Sequence, residues 1–342
     1  MHRLILKRAQ PTWKVRCAIS SPMPSERRQT ELAHSKVRRW RCPILLVVVA
    51  AVVGTLMWTR SGDPVTLISL HPPQPIDSRM QLAYQQALVL GSGGPRGFAH
   101  IGVLQVLDEA GYKPDLIVGT SMGAIIGAAL SAGRSPREME RRALAPDWWN
   151  WIRDLTWSRH GWLKGDSIKN IVLSAGAARD LEDLPIRVVA VATKLPGGER
   201  VEFGYGDVVA SVRASSASPG MFLPVKIEGQ LYGDGDIVAP VAAATAKKLG
   251  ARKILAVDVS AFADTTPSIE SVNVPWVVQD IRRRILVDQE SQVADAVIRV
   301  NMAYYAGVFH DGRVASIAAG RRAAEAALPE LRRLGIIPTA GK

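Results

Sequence analysis

With 342 residues, the chain can hold one domain or two, and its motifs leave room for one catalytic domain behind an amino-terminal extension. The formal net charge of +12 is gathered at one end: residues 1–42 hold eleven Lys/Arg against two Glu, a balance of +9 that leaves +3 for the other 300. This distribution excludes reading the basicity as a nucleic-acid-binding face of the folded part. The two cysteines, Cys17 and Cys42, lie too early to staple it with a disulfide.

The basic leader runs into an uncharged, apolar stretch of 17 residues, Cys42 to Trp58. That is the short end of a membrane span, which takes roughly 17–25 residues. Trp40 and Trp58 bracket it as interfacial aromatics, and Arg38, Arg39 and Arg41 crowd one side. By the positive-inside rule the amino terminus stays in the cytoplasm and the remainder lies across the membrane. A cleavable signal peptide is the rival, but Thr59-Arg60-Ser61-Gly62 offers no small-x-small cleavage site. Residues 60–83, with Pro64, Pro72, Pro73 and Pro75, read as an extended tether.

The strand-like run Ala87–Leu90 is followed by Gly91-Ser92-Gly93-Gly94-Pro95-Arg96-Gly97 and a helical pattern from Phe98 to Ala110. A glycine loop opening a helix offers bare N–H groups to an anion. Arg96 stands where the third glycine of a dinucleotide fingerprint belongs, and no Lys-Ser/Thr follows Gly97, so neither nucleotide motif fits. An oxyanion hole does. Pro95 has no N–H, which leaves the amides of Gly93, Gly94 and Arg96 as donors, each typically worth about 3–4 kcal/mol on developing charge. The Arg96 side chain reads either as a phosphate contact or as the partner of a carboxylate.

Next come the short strand Asp115–Val118, the sequence Gly119-Thr120-Ser121-Met122-Gly123, and a small-residue helix from Ala124 to Ala132. Strand, sharp turn and helix is the setting in which G-x-S-x-G presents a nucleophile. Side chains at Gly119 and Gly123 would block the close approach of the backbone. Ser121 is the candidate nucleophile. Beyond this helix lie five of the nine tryptophans, Trp148, Trp149, Trp151, Trp157 and Trp162, with Arg153, Arg159 and Lys164. Indoles suit membrane interfaces and cations suit anionic headgroups. The segment reads either as a lid or docking surface over an acyl pocket, or as satellite core under a long loop.

Further strand-like runs at Arg187–Ala192, Ile254–Val259 and Ala296–Val300 alternate with helical patterns, which argues a mainly parallel sheet with helices on both faces. Glu199–Phe203 and Val225–Tyr232 are expected as local antiparallel strands near the site, the second leading into Gly233-Asp234-Gly235-Asp236. A serine nucleophile needs a base. Of six histidines only His310 follows Asp234, as the order Ser, acid, His would require, and it sits in a turn-like Phe309-His310-Asp311-Gly312. Asp234 fits better, because burial raises a carboxylate's pKa toward the working range. Asp236 is expected to face solvent, and Arg282-Arg283-Arg284 to form a solvated helix face, with contact to phospholipid as the alternative. No His/Cys/Asp cluster has ligand spacing, so neither metal nor cofactor is expected.

Together, Gly93–Gly97, Gly119–Gly123, Asp234-Gly235 and the stretch Ala214–Val225 resemble the patatin-like phospholipase family, specifically its bacterial members, over about Gln86 to Gly335. The resemblance implies a three-layer α/β sandwich with a mainly parallel sheet. It also implies a Ser121–Asp234 dyad without histidine, with Gly97, Gly119, Gly123 and Gly235 supporting the motifs. The implied substrate is a phospholipid or lysophospholipid at a membrane bilayer. Ser92 stands where the family often has another glycine, and Asp236 where Gly or Ala usually follows Asp-Gly. The expected layout is a basic leader (1–42), a transmembrane signal anchor (43–59), a linker (60–83), the catalytic domain (84–335) and a short tail (336–342). The expected location is the bacterial inner membrane, with the catalytic domain in the periplasm. Two alternatives stand beside this reading: an esterase or thioesterase for soluble acyl compounds, and a silent membrane regulator that keeps the fold.

Overall fold

Ala87–Leu90, Leu116–Val118, Val188–Ala192 and Ile254–Val257 carry no polar residue, and strands of that composition need cover on both faces. The computed structural model describes residues 47–49, 52, 64–76, 83–145, 153–156, 158, 160–260, 274–302 and 309–339. The chain divides into two units, 1–59 and 60–342. In the first, residues 47–49 and 52 are helical, and the rest of the expected span at 43–59 lies outside the described residues. Among the described residues no helix is long and apolar enough to cross a membrane.

The strands of the second unit are β1 (Val65–Thr66), β2 (Gln74–Pro75), β3 (Gln86–Leu90), β4 (Leu116–Thr120), β5 (Arg187–Leu195), β6 (Arg200–Tyr205), β7 (Val225–Ile227), β8 (Gln230–Asp234), β9 (Lys253–Asp258) and β10 (Ala296–Arg299). Its helices are α1 (Ala99–Glu109), α2 (Met122–Ser131), α3 (Pro136–Leu144), α4 (Asp166–Ser174), α5 (Val208–Ser215), α6 (Ala243–Lys248), α7 (Val274–Ser291) and α8 (His310–Arg333). The five strands β5-β4-β3-β9-β10 are mutually parallel in that order. Antiparallel β6 and β8 both pair with β5, and β7 pairs with β8.

Side-chain alternation along the strands sorts the core into two layers. Leu88, Leu90, Ile117, Val188, Leu255 and Val257 face α1, α2, α4, α5 and α8. Ala87, Val89, Leu116, Val189, Ile254 and Ala256 face α6 and Val287 of α7. The result is a mixed sheet between two helical layers.

One feature of pairing positions the site. Val191 and Ala192 of β5 both pair with β6 on one edge. On the other edge Val191 pairs with Thr120, the last residue of β4, and Ala192 with Asp234, the last residue of β8. The two strands therefore meet end to end along β5. The residue after β4 and the last residue of β8 are brought together by register alone.

Candidate active site

Ser121 is the residue after β4, and it turns the chain into α2 with φ 55° and ψ −121°. Positive φ costs a residue with a Cβ about 1–2 kcal/mol, and such strain persists only where the surroundings over-determine it. Here they do. The Ser121 N–H donates to Ser215 Oγ (3.0 Å), whose hydroxyl donates to Val191 O (2.6 Å), and Ser216 Oγ donates to Ser121 O (3.2 Å). Thr120 Oγ1 donates to Ala239 O at 2.9 Å, pinning the end of β4. A Cβ on Gly119 would lie 2.5 Å from Ala124 Cα, and one on Gly123 2.0 Å from Leu90 O, so α2 starts in backbone contact with two strands.

The Ser121 hydroxyl donates to Asp234 Oδ2 at 2.8 Å. Asp234 Oδ1 accepts the Asp236 N–H at 2.8 Å, while its backbone is held by Ala217 O (3.0 Å) and Thr193 Oγ1 (2.7 Å). Ser121 is 8% exposed and Asp234 2%, so water does little to stabilise a charge there. Burial, aided by the charge of Asp236, pushes the Asp234 carboxyl up to about 7, against the pull of its bonds to the Asp236 amide and Ser121 and of the Arg283 charge. A carboxylate of that basicity can take a serine proton near neutral pH. A Cβ on Gly235 would meet Val191 O at 2.1 Å, which fixes the turn that carries this carboxylate.

Asp236 does not face solvent. The 3-10 turn Gly235–Ile237 points it inward, where it is 7% exposed. Arg283 holds it with Nε (2.6 Å) and Nη2 (3.0 Å), Arg282 with Nη2 (2.8 Å), and the Ser92 hydroxyl donates to it as well. Burial opposes its ionisation, yet Arg283, Ser92 and Arg282 hold its carboxyl below the ordinary carboxylate value. Two neighbouring carboxylates are thus pushed apart, one kept charged and the other made basic. The Arg282–Arg284 run is accordingly no wholly solvated face: Arg283 is buried and also binds Asp280. A clue was present in the chain. An extra Asp beside a buried base needs a cation, and consecutive arginines on a helix supply one.

The glycine loop follows β3, the strand beside β4. Gly91 N–H donates to Val257 O (3.0 Å) and Ser92 N–H to Pro240 O (2.7 Å). Beneath it, His100 is fully buried and donates from Nε2 to Gly91 O at 2.8 Å; burial pulls it down to about 4, so it stays neutral. The loop enters α1 through a 3-10 turn, Gly94–Phe98, and that geometry changes the donor set. Arg96 N–H is spent on Gly93 O (3.1 Å), and the Arg96 guanidinium reaches Asp280 at 3.3 Å. Arg96 is therefore not a free donor. Among the described residues the amides of Gly93 and Gly94 have no acceptor. The first-turn amides of α2, Met122 and Gly123, lack intrahelical partners by position. A Cβ on Gly97 would lie 2.2 Å from Met122 Cγ, so the loop packs directly against the residue after Ser121.

Gly94 has φ +53° with open space around its missing Cβ. Gly94→Ala should therefore lose stability through backbone strain alone, about 1 kcal/mol in denaturant unfolding. An unchanged midpoint would show that the loop does not hold this conformation.

His310 begins α8, exposed, with Nδ1 3.2 Å from Asp311, and it makes no bond to Ser121 or Asp234. Among the described residues no group of His, Cys, Asp or Glu is placed to hold a metal ion. Trp148, Trp149, Trp151 and Trp157 lie outside the described residues. Trp162 is 57% exposed, with its amide on Met221 O, itself an exposed residue. Ser215 and Ser216, which brace the elbow, lie in the Ala214–Val225 stretch, but only the fold gives them that task.

An α/β fold with a strained serine elbow, a buried carboxylate bonded to the serine, and free loop amides beside them defines a serine-nucleophile hydrolase class. Residues 88–247 match the model of the patatin-like phospholipase family. An uncharacterised NTE family protein of Mycobacterium tuberculosis is 37% identical over 180 residues, covering 51% of this chain and 49% of that one. The lysophospholipase NTE1 of Coccidioides immitis is 36% identical over 189 residues, covering 53% of this chain and 12% of that one. The match thus spans about half the length of the mycobacterial relative and a small part of the fungal one.

Proposed function

We propose that the protein is a membrane-anchored serine acyl hydrolase that cleaves fatty-acyl ester bonds of phospholipids or lysophospholipids. The observation that carries this reading is the 2.8 Å bond from Ser121 Oγ to a buried carboxylate with raised pKa. Asp234 takes the serine proton as Oγ attacks the ester carbonyl carbon. The electron pair moves onto the carbonyl oxygen, toward the amides of Gly93 and Gly94. Collapse breaks the ester C–O bond, the departing alkoxide oxygen takes the proton that Asp234 received from Ser121, and an acyl-serine remains. Asp234 then deprotonates a water, whose oxygen attacks the acyl carbon; fatty acid leaves and Ser121 is reprotonated.

The lipid substrate rests on the family and on the lysophospholipase among the relatives. The anchor at 43–59 and a periplasmic catalytic domain rest on the apolar stretch behind an Arg-rich leader. A fluorophosphonate probe should label the wild type and not Ser121→Ala, and the wild type should release fatty acid from phospholipid or lysophospholipid. Labelling with turnover of short soluble esters alone would favour the esterase reading, and no labelling of folded protein the silent regulator. Protease added to intact spheroplasts should remove a carboxy-terminal tag; a protected tag would overturn the topology.

A further inference from the structure

Helix α7 has two sides of opposite character. On one, Asp280, Arg283 and Val287 are buried. Arg283 and Arg282 bind the Asp236 carboxylate, and Asp280 bridges Arg283 to Arg96 of the glycine loop. On the other, Val274, Val278, Ile281 and Ile285 are 54%, 59%, 45% and 56% exposed. Spacings of four, three and four residues keep these four on a single stripe of an α-helix. The stripe runs about 16 Å at the helical rise per residue. Single exposed aliphatic side chains are ordinary, but a continuous row of branched ones is not.

The helical period sets Arg282 and Arg284 on opposite flanks of this row, and Arg284 has no ion pair among the described residues. On α7 the acidic residue that the helical period sets nearest the row, Asp288 at its carboxyl end, is bonded to Arg299. A second protein copy fits poorly. The row offers roughly 350 Å² of apolar surface, against roughly 800 Å² per partner in a stable protein interface. A bilayer needs no such area, and while Arg282 is held inward by Asp236, Arg284 on the other flank can reach headgroups with its stem in the interface.

We propose that the Val274–Val278–Ile281–Ile285 row is the face by which the catalytic domain lies on a lipid bilayer bearing anionic headgroups. The inference rests on the lipid-hydrolase reading and goes beyond it by naming the contact surface. The far side of the same helix holds Asp236, whose amide bonds Asp234. A bilayer against α7 therefore lies about one helix diameter, 10–12 Å, from the ion cluster beside the dyad. The ion pairs of Asp280, Arg282 and Arg283 tie α7 to the turn after β8 and to the glycine loop, so the row can enter the interface without the helix leaving the fold.

The test uses the full-length chain in proteoliposomes of phosphatidylcholine and phosphatidylglycerol. Ile281→Cys, in a background with Cys17→Ser and Cys42→Ser, carries a fluorescent label. A doxyl-lipid quencher should quench it at least twofold more than aqueous iodide does, and a label at exposed Glu199 should show the reverse. Quenching by iodide alone would overturn the proposal, and resistance to both quenchers would overturn it in favour of a protein partner. Equal lipid quenching in pure phosphatidylcholine would overturn the anionic requirement. This readout needs no hydrolysis: a lipid-quenched label on a protein inert toward lipid would sink the hydrolase reading and keep the docking face. In an active protein, Ile281→Glu with Ile285→Glu should lower the ratio of vesicle to short-ester turnover about tenfold, and an unchanged ratio would overturn the docking face alone.

Discussion

Ser121→Ala and Asp234→Asn should each reduce ester hydrolysis by about 10⁴-fold or more, and the double variant should lose little beyond either single one. The reason is geometric. The serine hydroxyl donates to Asp234 Oδ2 at 2.8 Å, and in the proposed mechanism neither group performs its half of the proton transfer without the other. An asparagine there keeps the shape of the site but cannot take the proton. His310→Ala should leave turnover within about a factor of two, since its ring is exposed and pairs with Asp311. Steady-state kinetics on a short-chain ester check all four proteins. Activity that survives Asp234→Asn and disappears in His310→Ala would replace the dyad with a histidine-based mechanism.

Asp236→Asn should move the ascending limb of the pH–activity profile to lower pH and also weaken the fold. In the proposed mechanism activity needs ionised Asp234, so in the wild type it should climb as pH passes through about 7. The charge on Asp236 raises that value, and Arg283 lowers it. Removing the Asp236 charge deletes the first effect and leaves Arg282 without its carboxylate and Arg283 with Asp280 alone, so both changes favour ionised Asp234 and the limb shifts acid. Taking one partner from a buried ion pair costs about 3–5 kcal/mol, which should appear as a lower unfolding midpoint. A limb that stays in place, or moves alkaline, would mean that the two carboxylates do not communicate. This result would also decide what the Asp-Gly-Asp departure from the family pattern does: a silent site would show no limb to move.

The sequence by itself determined the parallel core and the chemistry placed at its ends. Ala87–Leu90, Leu116–Val118, Arg187–Ala192, Ile254–Asp258 and Ala296–Arg299 lie in β3, β4, β5, β9 and β10, with Val259 and Val300 one residue beyond the last two, because predominantly apolar runs suit strands covered on both faces. The elbow at Ser121 and the glycines around it were legible for a local reason: a strand-to-helix turn that tight excludes side chains, and Gly97, Gly119, Gly123 and Gly235 all stand where a Cβ would collide. Tertiary structure alone decided the rest. Only the shared edge of β5 brings β4 and β8 end to end, and strand register between segments 113 residues apart leaves no trace in either segment. Only the fold turns Asp236 inward to Arg283, spends the Arg96 amide on Gly93, and sets Ser215 under the elbow. Periodicity reports which side of an element is apolar; it is silent on which distant charge a buried carboxylate will meet, because that choice is made by long-range packing.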